Sequence, residues 1–164
     1  MRSETKEDEV ARRTSFSSNK GDGMTAELLA MNAKVIEEFR ANDGKCGPPF
    51  DQVPMALVTM VGARSGRELC SPLAYSTDGD DVVIIASAAG RPSHPSWYHN
   101  LVANPDVLLE VGSEQYEATA LLTEGEERDR LYAAQAEKLP VFNEYAEKAS
   151  PRVIPVFRLV RVSE

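Results

Sequence analysis

The sequence predicts a mainly antiparallel α+β domain, with about six strands curled into a barrel or sheet and helices packed outside it. Three observations carry this. Short apolar runs are joined by hairpin-type turns at Gly62–Gly66, Asp78–Asp80 and Gly112–Ser113. Helical periodicity is confined to the two ends of the chain and one short segment between them. No strand–helix–strand alternation carries a G-x-G-x-x-G, which argues against a parallel nicotinamide-binding fold.

The elements follow in order. Residues 1–23 hold only Val10 and Phe16 as large apolar side chains beyond Met1. They read as a flexible tail ahead of one domain over 24–164. Met24 to Asn42 is helical, with Thr25 as cap and Leu28, Leu29, Met31, Val35, Ile36 and Phe39 at helical spacing; Gly44 and Gly47-Pro48-Pro49 end it. Met55–Val61 is a strand, and Leu69–Thr77 a second whose Pro72 points to an edge or bulge. After the Asp78-Gly79-Asp80 turn, Val82–Ala86 is a third. Ser87-Ala88-Ala89-Gly90 and a loop stiffened by Pro92 and Pro95 lead to a short helix. Ser96 is its expected cap, and Asn104-Pro105 stops it. Val107–Val111 and Tyr116–Leu122 form a hairpin. Glu124–Leu139 and Phe142–Ala149 are helical, and Val153–Val162, interrupted by Pro155, is the last strand.

Composition narrows the function. The net charge of −8 excludes a general nucleic-acid or anionic-membrane surface, so an anionic ligand needs a local basic patch. No apolar run is long enough to span a bilayer, and the polar N-terminus carries no secretory signal; the expected location is the cytoplasm. Cys46 and Cys70 read as free thiols. His94 and His99 are five apart rather than four, which disfavours a zinc site, and neither has a Ser or Cys at a recognisable nucleophile spacing.

Two constellations can carry chemistry. Arg64, Ser65 and Arg67 on the Gly62–Gly66 turn make a workable phosphate or carboxylate cradle, with Arg91 and Lys45 as further cations; a solvated turn is the simpler reading. Tyr75, Tyr98, Tyr132, Phe142 and Tyr145 can line one apolar pocket, the Tyr75 and Tyr145 hydroxyls polarising a substrate oxygen; core packing is the simpler reading. Ile84 to Asn104 holds the only Trp and both His.

The runs L-V-T-M-V-G-A-R-S-G-R-E-L-C-S-P from Leu57 and A-S-A-A-G-R-P-S-H-P-S-W-Y-H-N-L-V-A-N-P from Ala86 resemble the deazaflavin-dependent nitroreductase family of actinobacteria. The resemblance covers Met31 to Val162. It implies a split β-barrel that binds coenzyme F-420, an 8-hydroxy-5-deazaflavin with a phosphate and an oligoglutamate tail. It implies hydride transfer to quinones, activated enones and lactones, or nitro compounds. Carried onto this sequence, it assigns phosphate and tail to Arg64, Ser65 and Gly66. Ser71, Pro72 and Ala74 contact the cofactor, Ala86, Ser87 and Ala88 lie against the ring, and Ser96, Trp97, Tyr98 and Asn100 close the phosphate side. Leu139, Phe142 and Tyr145 form the substrate wall with Tyr75. Ser87, Tyr75 and Tyr145 are the expected catalytic groups, the Ser87 amide and a Tyr hydroxyl stabilising developing negative charge. The partner is a small molecule, with peripheral membrane contact if it is a quinone; monomer and dimer stay open.

Three cations usual in the family are replaced, by Ala63, Leu69 and Ala88. Each phosphate contact is worth roughly 1.5–3 kcal/mol when partly desolvated, so their loss weakens tail binding unless Arg67 or Arg91 compensates. Ala74, Leu139 and Phe142 stand where Tyr is known, which implies weak activity on nitroimidazoles. Two rival readings follow: a relative that has exchanged F-420 for flavin, haem or cofactor-free acid–base or cyclisation chemistry, and a binding protein for an apolar small molecule.

Overall fold

The computed structural model describes residues 26–47 and 53–162. The expected tail over 1–23, the Thr25 cap and the Pro48-Pro49 loop lie outside the described residues. Helix α1 spans Ala26–Ala41 and is followed by β1 (Met55–Val61), β2 (Glu68–Ala74), β3 (Ser76–Asp78) and β4 (Asp81–Ile85). A single 3-10 turn at Ala88–Gly90 precedes α2 (Ser96–Ala103). Then come β5 (Asp106–Val111), β6 (Glu114–Leu122), α3 (Gly125–Lys138), α4 (Val141–Ala149) and β7 (Val156–Arg161).

All pairings are antiparallel, and the strands lie in the order β2-β1-β5-β6-β7-β4-β3. The two edge strands, β2 and β3, are separated in the chain by Tyr75 alone. The chain itself therefore joins the two edges of the sheet, and the sheet curls into a split β-barrel. Seven strands stand where about six are expected, because Leu69–Thr77 divides at Tyr75. Its first part pairs with β1 and its second with β4. Pro72, opposite Leu57, sits on an edge strand, where its missing N–H costs no ladder bond.

The unbroken apolar runs of β1 and β4 reflect two cores rather than one. Val82 and Ile84 point into the barrel with Val58, Met60, Leu109, Phe157 and Leu159. The alternate residues Val83 and Ile85 pack outward under α3 and α4, against Leu131, Tyr132, Phe142 and Tyr145. Burying each such side chain is worth about 1.5–3 kcal/mol. A strand covered on both faces loses the polar alternation of a half-exposed one. On β1, Met55 meets Val35 of α1. That helix is also tied to β5 by a bidentate pair, Arg40 Nε to Glu110 Oε1 at 3.0 Å and Nη2 to Oε2 at 2.8 Å.

Two boundaries differ for a local reason. Pro95 is the N-cap of α2 and Ser96 its first helical residue, with no side-chain cap bond. The last strand begins at Val156 rather than Val153: Pro155 has no N–H to give, Val153 is exposed, and Ile154 turns into the helical core.

Candidate functional site

The end of β4 passes into a strap, residues 86–94, lined by buried Ala86, Ser87, Ala88 and Gly90. Ser87 is right-handed (φ −72°), whereas Ala88 and Ala89 are left-handed (φ 49° and 53°), a conformation that strains any residue with a Cβ. Such a right-to-left step turns successive N–H groups toward one side and makes a seat for negative charge. Gly90 is required where it stands. With φ at 79°, a Cβ there would lie 2.9 Å from Lys148 Cβ and 3.1 Å from Tyr145 Cα. The strap thus rests directly on α4.

The Gly62–Arg67 turn between β1 and β2 is held by α2. Asn100, buried, accepts a 2.9 Å bond from the Ala63 N–H through Oδ1, and Asn104 Nδ2 donates to Val61 O at 3.3 Å. Ser65 Oγ accepts from the Arg67 N–H at 3.1 Å, which tightens the turn. Arg64 and Arg67 are exposed. Among the described residues no hydrogen bond or ion pair engages the Arg64 guanidinium. Leu69 packs against the barrel cluster and Ala88 is buried, so two of the three positions that lack the family's cation face inward as apolar side chains.

The remaining expected residues divide. Trp97 lies inside the barrel, 5.9 Å from the Phe157 ring, as a core anchor. Tyr98, half-buried, stacks on His94 at 4.2 Å. Ser71 and Pro72 are buried on β2, and Ala74 packs with Leu139. The aromatics do not form one pocket. Tyr75 and Tyr98 border the barrel core, whereas Tyr132, Phe142 and Tyr145 belong to the helical core with strap residue Ala89. Tyr145 is 2% exposed, so the protein itself encloses its ring. Tyr132 donates to Phe142 O, and burial pushes its hydroxyl up to about 12. Lys45 does not join the Arg64 patch: its neighbour Gly44 lies against Gly112, beside the start of β1, whereas the turn leaves the other end of that strand roughly 20 Å away.

One residue escaped the sequence reading. Arg152, half-buried between α4 and β7, donates from Nε to Arg91 O at 3.0 Å, from Nη1 to Ala86 O at 3.1 Å and from Nη2 to Ser87 O at 2.8 Å. It also meets His94 Nδ1 at 2.9 Å. Its partners lie 58 to 66 positions upstream, beyond the reach of any local pattern.

Other chemistries find little support. Cys46 and Cys70 are free, and burial pushes both thiols up, away from the reactive thiolate. No group of three His, Cys, Asp or Glu among the described residues can hold a metal ion. No helix among them is long and apolar enough to cross a membrane. A separate open depression of about 1370 Å³ is bordered by Asp80, Asp81, Glu114 and Glu117 against Arg161, a poor seat for an anion.

Comparison with known proteins identifies the family and the fold. The model of the F420H(2)-dependent quinone reductase family matches residues 32–161. An F420H(2)-dependent quinone reductase of Mycobacterium tuberculosis is 33% identical over 126 residues, 75% of this chain and 85% of the relative. The solved structure of an F420-H2 dependent reductase (FDR-A) superposes with a TM-score of 0.60 at 38% identity, covering 65% of this chain and 93% of that one. A structure described as a domain-swapped dimer gives 0.62 at 33% identity, covering 81% and 97%.

Proposed function

Because the chain belongs to the F420H(2)-dependent quinone reductase family and is an oxidoreductase dependent on coenzyme F-420, we propose that it reduces a quinone in the groove between the Gly62–Arg67 turn, the 86–94 strap and α2. The observation that carries this reading is the Asn100–Ala63 bond, which draws the turn bearing Arg64 against the helix that follows the strap. The donor set fits the coenzyme. Arg64 and Arg67 offer charge to a phosphate and acidic tail, and the strap is built of small residues, Ala86, Ser87 and Ala88, which the protein itself covers. The Ser87–Ala89 turn offers amide N–H groups to ring or substrate oxygen.

The bound reduced coenzyme supplies the hydride. The chain's own work is orientation and exclusion of water. In this reading Arg64, Ser65 and Gly66 hold the anionic end, and Ser96, Tyr98 and Asn100 keep that side closed. Trp97 acts from within the core by fixing α2. Ser71, Pro72 and Ala74 border the ring from β2, while the enclosed Phe142 and Tyr145 and the half-buried Leu139 back the strap. Tyr75, half-buried, packs against the barrel core beside the start of β1, at the far end of that strand from the turn, so the hydroxyl expected at the quinone oxygen is not placed in this groove. Enones, lactones and nitro compounds are secondary acceptors in this reading. A cytoplasmic enzyme, dimeric like the domain-swapped relative, fits the composition and the comparison.

Fluorescence titration with purified F-420, followed by reoxidation of the reduced coenzyme with a soluble naphthoquinone, tests the reading. Saturable quenching in the micromolar range and quinone-dependent turnover are expected. No binding at tens of micromolar, or binding without turnover, would overturn it.

A further inference from the structure

We propose that Arg152 is a positioning residue for this reaction: it fastens the strap and fixes His94 as the tautomer that carries its proton on Nε2. The proposal rests on the cofactor reading above, but its first test does not.

The geometry leaves little choice. A guanidinium has five N–H donors and no acceptor. The 2.9 Å contact between Arg152 Nη1 and His94 Nδ1 is therefore a bond that Nδ1 accepts, and a neutral imidazole so engaged carries its one proton on Nε2. The other three bonds go to main-chain carbonyls of residues 86, 87 and 91. One side chain thus spans the whole strap, and it bonds both residues that precede the left-handed pair Ala88–Ala89. Those bonds help to hold a strained turn that would otherwise relax.

None of the four acceptors is a carboxylate, so a positive charge stands behind the Ser87 and Ala88 amides with no counter-ion in contact among the described residues. Amides backed in this way donate more strongly to an oxygen that gains negative charge. The same charge disfavours an imidazolium at His94, as does His99, whose ring centroid is 6.1 Å away; Tyr98, stacked at 4.2 Å, carries no charge. Burial acts in the same direction and is the larger cause: the imidazole titrates below its ordinary range. His94 therefore remains a neutral hydrogen-bond donor.

The chain has two His, so long-range proton–nitrogen correlation on ¹⁵N-labelled protein without coenzyme resolves both rings, and His94→Gln assigns them. In the wild type His94 should be the Nε2–H tautomer. A wild-type spectrum with the proton on Nδ1 overturns the proposal without any variant. In Arg152→Met the tautomers should mix and the midpoint should rise; an unchanged tautomer and midpoint overturn it. For function, Arg152→Met should weaken F-420 binding about tenfold and move the acid limb of the quinone kcat/KM profile upward, with Arg152→Lys recovering only part of either. Wild-type binding matched by Arg152→Met, with an unmoved pH profile, overturns the positioning role. Failure of the wild type to bind F-420 at all would overturn the cofactor reading beneath it, whatever the tautomer.

Discussion

Asn100 Oδ1 and the Ala63 N–H, 37 positions apart in the chain, meet at 2.9 Å, and through that bond the short helix α2 holds the turn between β1 and β2. The Asn100 amide is buried, and its Nδ2 lies 3.7 Å from Met60 Sδ, so the side chain is fixed from both ends. Removing it strands a main-chain donor. Asn100→Ala should cost about 1–2 kcal/mol in urea unfolding and weaken F-420 binding together. Asn100→Asp keeps the acceptor but buries a carboxylate, so it should restore the turn bond without recovering the full stability. Equal F-420 affinity in all three proteins would show that the turn has no part in binding.

Arg64 is exposed and has no protein partner among the described residues, so a ligand is what it has to gain. Arg64→Ala should leave the thermal midpoint unchanged and weaken F-420 binding about tenfold, with a shallower dependence on salt. Ala63→Arg should strengthen binding, because it restores a cation on the same turn.

Gly90 lies where α4 leaves no room. Gly90→Ala would meet both a left-handed backbone and the Lys148 and Tyr145 atoms, and should destabilise by about 2 kcal/mol or more. Ala89→Gly acts in the opposite sense. At φ 53° it relieves left-handed strain and should stabilise by up to about 1 kcal/mol in the same denaturation assay.

Glu110 is a buried carboxylate with its charge answered by a half-exposed Arg40. Glu110→Ala removes the bidentate pair and opens space beneath α1. A loss of about 1–2 kcal/mol is expected, discounted because Arg40 regains water. Activity per folded molecule should not change, since the pair lies at the foot of α1 rather than in the groove.

Asp78 lies between two guanidinium groups, bonded by Arg130 at 3.0 and 3.1 Å and by Arg158 at 2.6 Å. Together they hold its carboxyl well below the usual carboxylate range. The unfolded chain then takes up the proton first as pH falls. The stabilisation is complete above the ordinary Asp value and disappears on the way down through it toward the lower folded one. Urea unfolding of wild type and Asp78→Asn should therefore differ most near neutrality and converge below about pH 4. A gap independent of pH would place the effect elsewhere.

The sequence by itself determined the order of the elements, the Met55–Val61 strand to the residue, an edge or bulge at Pro72 and the family, because turn chemistry, apolar periodicity and a distinctive motif are local properties of the chain. It could not divide Leu69–Thr77 at Tyr75, since both halves are extended and only their pairing partners differ. It could not tell that Val83 and Ile85 serve a different core from Val82 and Ile84, or that the Tyr residues fall into two clusters, because a solid apolar run looks the same whatever covers it. Lys45 and Arg64 both read as loop cations, and only the barrel sets them at opposite ends of a strand. Arg152 carried no signal at all. Its role arises from four acceptors that the fold brings to one guanidinium, and contacts between distant parts of the chain exist only after the sheet has closed.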